Sequence, residues 1–167
     1  MNYCRKRTKF RGWDQGALKI VRFQPKNLKR ILQIESESFP SDEWPRELFK
    51  QYASSCPLFL VAKVGRVIAG YSITSVQEQR AELLSLAISR RFRGQGIAAQ
   101  MLRFTIQRLR ARGVRFMMLM VRRNNARAIQ LYRRFRFVRV RTVAGYYEDG
   151  ETAWRMKKTL SPHSQPE

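Results

Sequence analysis

What this chain lacks narrows it first. Its single histidine, His163, sits in the polar tail SPHSQPE, and its two cysteines, Cys4 and Cys56, stand at no metal-ligand spacing. With the tail outside the core, no Ser-His or Cys-His nucleophile pair can form, and a zinc site lacks its ligands. So few cysteines suit a reducing, cytoplasmic compartment. No apolar run reaches the roughly 20 residues that cross a bilayer, and the start MNYCRKRTKFRGW has no signal-peptide core, so no membrane partner is expected. Acidic side chains are scarce as well: 12 Asp and Glu face 34 Lys and Arg, for a net charge of +22. That surplus points to a polyanionic neighbour such as RNA, a ribosome or a phosphate-rich ligand, although an arginine-rich proteome accounts for it equally well.

What is present reads as one folded domain. The 167 residues, 44% of them hydrophobic, suffice for a single real core. Residues 1–16 read as a basic, flexible arm, 17–160 as the domain, and 161–167 as a flexible tail. A strand at 17–23 precedes a helix opened by Pro25, with Leu28, Ile31 and Leu32 on one face. In the loop ESFPSDEWP, Ser41 or Asp42 is placed to cap a second helix running through Phe49 and Tyr52. Residues 57–64 and 67–76 form a hairpin around Gly65-Arg66, and AELLSLAI (81–88) is a nearly continuous apolar strand, expected to be buried on both faces. A helix follows to about Arg112, ended by Gly113; then come a strand at 114–121, a helix from about Asn125, and closing strands at 137–143 and 152–160. This order predicts an α/β fold: a mixed central sheet of about seven strands flanked by about four helices.

The stretch RFRGQGIAAQML (91–102) poses the sharpest question. Glycine costs roughly 1 kcal/mol against alanine inside a helix, yet Gly94 and Gly96 stand at the mouth of a strongly periodic one. A strand that ends in a glycine-bearing turn and feeds a helix makes an anion site. Free amides point outward, the helix dipole favours negative charge, and the missing Cβ atoms admit a phosphate to the backbone. A plain strand-to-helix turn uses glycine too. No Gly-Lys-Ser/Thr follows, which excludes a P-loop, and the third glycine of a dinucleotide fingerprint is absent.

Further motifs add context. Arg93-x-x-Gly96-x-Ala98 resembles the Q/R-x-x-G-x-G/A pyrophosphate loop of the GCN5-related N-acetyltransferases (GNAT); Arg91-x-x-Gly94-x-Gly96 fits it as well. VRRNNARAIQLYRRFRF resembles V-R-x-x-N-x-x-A-x-x-L-Y-x-x-x-G-F through Val121, Arg122, Asn125, Ala128, Leu131, Tyr132 and Phe137. GYYEDGETA is similar to the family's Y-Y-x-x-G-E-D-A segment, and ESFPSDEW to its F-P loop. Together they resemble the branch that acetylates protein N-termini, the ribosomal-protein alanine acetyltransferases above all. The resemblance spans 17–160.

It implies the GNAT fold, with the sheet splayed between its fourth and fifth strands, here 81–88 and 116–121. It also implies acetyl-coenzyme A as cosubstrate in that splay, no metal, and a protein N-terminus as acceptor. Backbone groups near Leu86 and Ile88 are then expected to hold the pantetheine arm and polarise the thioester carbonyl. Amides from Arg93, Gly94, Gln95, Gly96, Ile97 and Ala98 hold the pyrophosphate, and Asn125 bonds the pantetheine region besides serving as a helix N-cap. Tyr132 takes the place of the acid that protonates the leaving thiolate, with a reference pKa of about 10; at helical spacing it is also a core residue. Phe39, Pro40, Tyr146 and Tyr147 form the peptide slot.

Two departures stand out. Relatives carry Glu in L-E-V-R where this chain has Met120, which cannot take a proton; Glu82 on the adjacent strand is a replacement candidate, acting through water, or else a solvated residue at a strand start. Arg136 replaces the glycine that follows the family's last helix. A weak base favours an α-amine, with pKa about 7.7–8.0, over a lysine amine at about 10.4. Two other readings compete. One is a small-molecule amine acetyltransferase, disfavoured because a positive surface repels polyamines. The other is a degenerate domain that binds RNA or a ribosome, with Met120 marking lost catalysis.

Overall fold

The computed structural model describes residues 18–160; the expected arm and tail lie outside them. The elements are β1 (Leu18–Arg22), α1 (Leu28–Ser38), α2 (Arg46–Ser55), β2 (Leu58–Val64), β3 (Val67–Gln77), β4 (Arg80–Ile88), α3 (Ile97–Arg110), β5 (Phe116–Arg122), α4 (Ala126–Arg134), β6 (Val138–Val143) and β7 (Ala153–Thr159). They follow the order expected from sequence. The seven strands form one sheet in the order β1-β2-β3-β4-β5-β7-β6. Every pair is antiparallel except β4 with β5.

Each face of the sheet is buried by helices whose apolar residues recur at helical spacing. On one face Ile31 and Ile34 of α1 and Phe49 of α2 pack on Phe59, Val61, Tyr71 and Ile73. On the other, Leu102, Ile106 and Leu109 of α3 and Ile129 and Tyr132 of α4 cover Leu83, Met117, Leu119 and Met156. The expected Ser41 or Asp42 cap on α2 is not made: Pro45 occupies the N-cap position with no side-chain bond. Proline pre-sets the backbone angle there, and Asp42 is drawn elsewhere by an arginine.

β4 departs from the expectation of burial on both faces. Its residues alternate between buried and half-covered, Leu84, Leu86 and Ile88 being among the half-covered ones. Those three residues border cavities, and a bulge changes the face on which the buried ones lie. Ile73 of β3 pairs with Ser85 and Thr74 with Leu83, so Leu84 is the extra residue. An extra residue sends every later side chain to the opposite face. Ala81 and Leu83 therefore join the α3/α4 core, while Ala87 joins the α1/α2 core. The parallel ladder to β5 also stops here, its last pair being Leu83 with Leu119. Beyond it, Leu84–Ile88 and Met120–Arg122 diverge, giving the splay that the resemblance implies.

The helix ends are closed locally. At the end of α4 the Phe137 amide donates to the Tyr132 carbonyl (3.0 Å) and the Arg136 amide to the Arg133 carbonyl (2.8 Å). This is a Schellman motif, with its apolar contact supplied by the Tyr132 and Phe137 rings 5.7 Å apart. The motif needs a left-handed residue, and Arg136 supplies it at φ 62° where Gly113 does the same for α3 at φ 70°. A side chain in that region costs about 1 kcal/mol. Arg136→Gly is therefore expected to stabilise the fold by about that amount, raising Tm by about 3 °C; a thermal melt checks it.

Candidate active site

The glycine loop is set by its backbone and its anchors. Phe92 is buried beneath it. Gly94 and Gly96 have φ of 78° and 77°, which L side chains rarely adopt, and Gly96 is the N-cap of α3. Arg93 does not reach outward: its Nε donates to the Ile88 carbonyl (2.8 Å) and Nη2 to Ser38 Oγ (2.9 Å). Its amide already donates to the Arg90 carbonyl at 3.4 Å, so of the expected cradle it is the weakest member. Gln95 likewise turns back, its side-chain amide donating to the Arg91 carbonyl (3.1 Å), and it lies off the cavity wall. The first amides of α3, those of Ile97 and Ala98, have no carbonyl within their own helix.

Under this loop lies a cavity of about 450 Å³ whose lining includes Leu86, Ile88, Arg93, Gly94, Gly96, Ile97, Ala98, Asn125 and Tyr132. A second cavity, of about 260 Å³, opens toward α1 and the loops; Phe39, Pro40, Asp42, Met120, Arg122 and Tyr147 are on its wall. The two share Ser38, Phe39, Leu86, Asn125, Ala128 and Tyr132. Asn125 caps α4, its Oδ1 accepting from the Ala128 amide at 3.1 Å, and the residue lies on the wall of both cavities. Tyr132 is 8% exposed. Burial, with Tyr147 beside it, pushes its phenol well above the ordinary value, so the hydroxyl keeps its proton.

The structure brings most of the expected site residues together and leaves three apart. Gln95 is one. Tyr146 is half exposed on the rim. Glu82 precedes the Leu84 bulge and lines neither cavity; its charge is felt by Tyr52 of α2 and by Tyr146. Tyr147 does reach the second cavity, and burial, then Tyr146, lifts its phenol to about 12.

Two constellations escaped the sequence reading. Arg122, at the end of β5, donates to Asp42 in the α1–α2 loop and to Asp149 in the β6–β7 loop (2.8 and 3.0 Å), with its guanidinium 4.0 Å from the Tyr147 ring centre. It ties the loops on either side of the second cavity to the sheet. Buried Glu35 accepts hydrogen bonds from the Tyr71 hydroxyl and the Trp44 amide (3.2 Å), and the Tyr71 hydroxyl also meets Ser85 Oγ at 2.9 Å. Burial holds the Glu35 and Tyr71 pKa values above their ordinary levels. The signal for Glu35 was present: an acid on the apolar face of α1, one residue after buried Ile34.

A phosphate-bearing thioester fits what is there. Gly94 is not forced by packing, since a Cβ on it would meet no atom within 4 Å. The loop offers helix-start amides, and the cavity below it is lined by Leu86 and Ile88 of β4 and by Tyr132, whose phenol is protonated. No group of three or more His, Cys, Asp or Glu able to hold a metal occurs among the described residues. Nor is any described helix long and apolar enough to cross a membrane.

The acetyltransferase (GNAT) family model matches residues 28–137. This chain belongs to the GNAT family. It is an N-acetyltransferase of that family by sequence and by fold. An uncharacterized N-acetyltransferase of Methanocaldococcus jannaschii is 30% identical over 142 residues, 83% of this chain and 90% of its own length. An N-alpha-acetyltransferase of Saccharolobus solfataricus is 26% identical over 148 residues, 80% of this chain and 88% of its own. The ribosomal-protein-S18-alanine N-acetyltransferase of Escherichia coli shares the fold, with a TM-score of 0.78 at 24% identity over 90% of this chain and 99% of its own. For this GNAT loop, Gly96→Asp puts a carboxylate on a left-handed residue where phosphate is expected. Calorimetry should find coenzyme A affinity at least tenfold lower, about 1.4 kcal/mol, in a variant that still folds.

Proposed function

We propose that this chain transfers the acetyl group of acetyl-coenzyme A to the α-amine of a protein N-terminus, in the manner of a ribosomal-protein alanine acetyltransferase. The observation that carries the reading is the meeting of two unlike cavities at Tyr132. One runs beneath a glycine loop suited to pyrophosphate; the other is bounded by Phe39, Pro40 and Tyr147 and braced by Arg122. The archaeal N-alpha-acetyltransferase relative supports the same acceptor.

Acetyl-coenzyme A, when bound, supplies the acyl group already activated as a thioester. The chain's residues bind, orient and move protons. The amides of Gly94, Gly96, Ile97 and Ala98 hold negative charge, and Leu86 and Ile88 present apolar strand surface to the arm. Tyr132 carries a proton on its hydroxyl at the junction, where developing negative charge can take it. Phe39, Pro40 and Tyr147 keep water from the acceptor's path. Met120 lies on that path without a proton acceptor, and the Glu35 carboxylate on the same wall is engaged by the Tyr71 hydroxyl and the Trp44 amide, so the acceptor's proton passes to solvent or, through water, to Glu82. Roughly a tenth or more of an α-amine is neutral at pH 7, against about one lysine amine in a few thousand. A site with so weak a base therefore serves an α-amine far better.

Acetyl transfer to an N-terminal peptide library tests the reading; transfer to small amines alone would overturn it. On the best peptide, Tyr132→Phe is expected to keep coenzyme A affinity and lower kcat, because only the donor is lost. The raised Tyr132 pKa fixes the sign of the pH dependence. The rate should climb to about pH 8 as the amine is freed, and Tyr132 should add no alkaline decline below about pH 9.

The same pH–rate series separates the two proton routes. If Glu82 is the acceptor, Glu82→Gln should cost about 10²-fold in turnover. If solvent is, the loss should be small, and Met120→Glu should raise the rate near neutrality.

A further inference from the structure

A cluster of positive charge lies outside the site just described. From Leu83 to Tyr147 there are sixteen arginines and not one Asp or Glu. α3, the end of α4, β6 and β7 gather part of that run into a groove of about 750 Å³, on whose wall stand Arg103, Arg110, Arg134, Arg136, Lys157 and Lys158. The groove shares only Arg134 with the cavity under the glycine loop. No carboxylate lines it.

Three features show charge held there against its own repulsion. Arg110 Nε is buried with no hydrogen-bond partner among the described residues. Lys158 is only 9% exposed, and burial, then Arg110 and Arg136, holds its ammonium below the ordinary pKa. Arg136 stands at a left-handed position that glycine would occupy with less strain. Unpaired, partly buried cations crowded together are costly, and a ligand that brings several negative charges at once removes that cost. The charged surface continues from the groove along the edge strand β6, where Arg139 and Arg141 are exposed, and Arg139 lies 4.7 Å from the Trp154 ring centre.

We propose that this groove binds the phosphate backbone of RNA. A nucleic-acid strand supplies one charge per nucleotide along a line, which a groove extended by an arginine-bearing edge strand can follow. Guanidinium forks match phosphate oxygens in pairs, better than a lysine surface does. The groove wall includes only a few apolar side chains, Ile106, Phe135 and Val138, too few for the apolar centre of a protein interface. The site is separate from acetyl transfer and does not depend on which amine is acetylated.

The test uses the full chain, a labelled RNA hairpin read by fluorescence anisotropy over a salt series, and calorimetry with coenzyme A. Arg136→Gly is expected to melt higher than the parent yet bind RNA at least threefold more weakly, with a salt slope smaller by about one. A merely structural role cannot move stability and affinity in those opposite directions. Arg103→Glu with Lys157→Glu should lose tenfold or more. Lys26→Glu with Arg66→Glu, an equal charge change elsewhere, should lose less than threefold. Coenzyme A affinity should hold in all of them. Equal losses in the two double variants would make the effect diffuse charge and overturn the site. So would an absence of RNA binding at low salt, a parallel fall in coenzyme A affinity, or equal binding to polyglutamate or to anionic phosphatidylserine vesicles.

Discussion

The parallel pairing of β4 with β5 holds for four residues and then stops at Leu83 and Leu119. Both strands remain bonded on their outer sides, β4 to β3 as far as Ile88 and β5 to β7 as far as Arg122. Neither can rotate to close the gap without breaking those ladders, whose backbone groups must stay paired. The Leu84 bulge lies at the point of divergence and sharpens the local twist. The gap is therefore a built feature. The glycine loop hangs from the end of β4, Met120 and Arg122 lie at the end of β5, and α4 brings Asn125 and Tyr132 across the opening.

The two sides of that opening are stabilised by different physics. Under the glycine loop, order comes from the backbone: two left-handed glycines, a helix start, and side chains of Arg93 and Gln95 folded inward as struts. Beside the second cavity it comes from a charged clamp, with one arginine shared by two carboxylates on separate loops. Arg122 and Asp42 are each 20% exposed, so that pair is less screened than ordinary surface ion pairs, which contribute at most about 1 kcal/mol, while Asp149 is an exposed partner. The clamp uses two of the chain's scarce acids. Four other arginines of the long run, Arg103, Arg110, Arg134 and Arg136, gather in the groove beside α3 and the end of α4, whose wall carries no acid.

Much of this was legible residue by residue. Tyr132 and Asn125 follow from a capped, periodic helix, and Gly94 and Gly96 from a turn that needs positive φ. Arg136 at a C-terminal glycine position announced its own strain. Other features were not legible, for reasons of distance. Asp42 looks like a helix cap in its own segment, but its partner Arg122 is 80 residues away. Glu82 looks like a neighbour of Leu86 along one strand, yet the bulge between them turns the two side chains to opposite faces. Glu35 reads as a misplaced acid until Tyr71, 36 residues on, is brought against it.

The order of elements, the apolar face of each helix, the positive-φ glycines before α3 and the Asn125 cap of α4 are each encoded within a few residues, by periodicity, capping and glycine. Only the packed molecule settles which face β4 presents before and after Leu84, where the ladder to β5 ends, what Arg122 clamps, and that six cations of α3, α4 and β7 and the turn after α4 share one groove. Those depend on strand register and on partners far apart in the chain. No local pattern specifies them, and only the competition of all contacts in the folded state settles them.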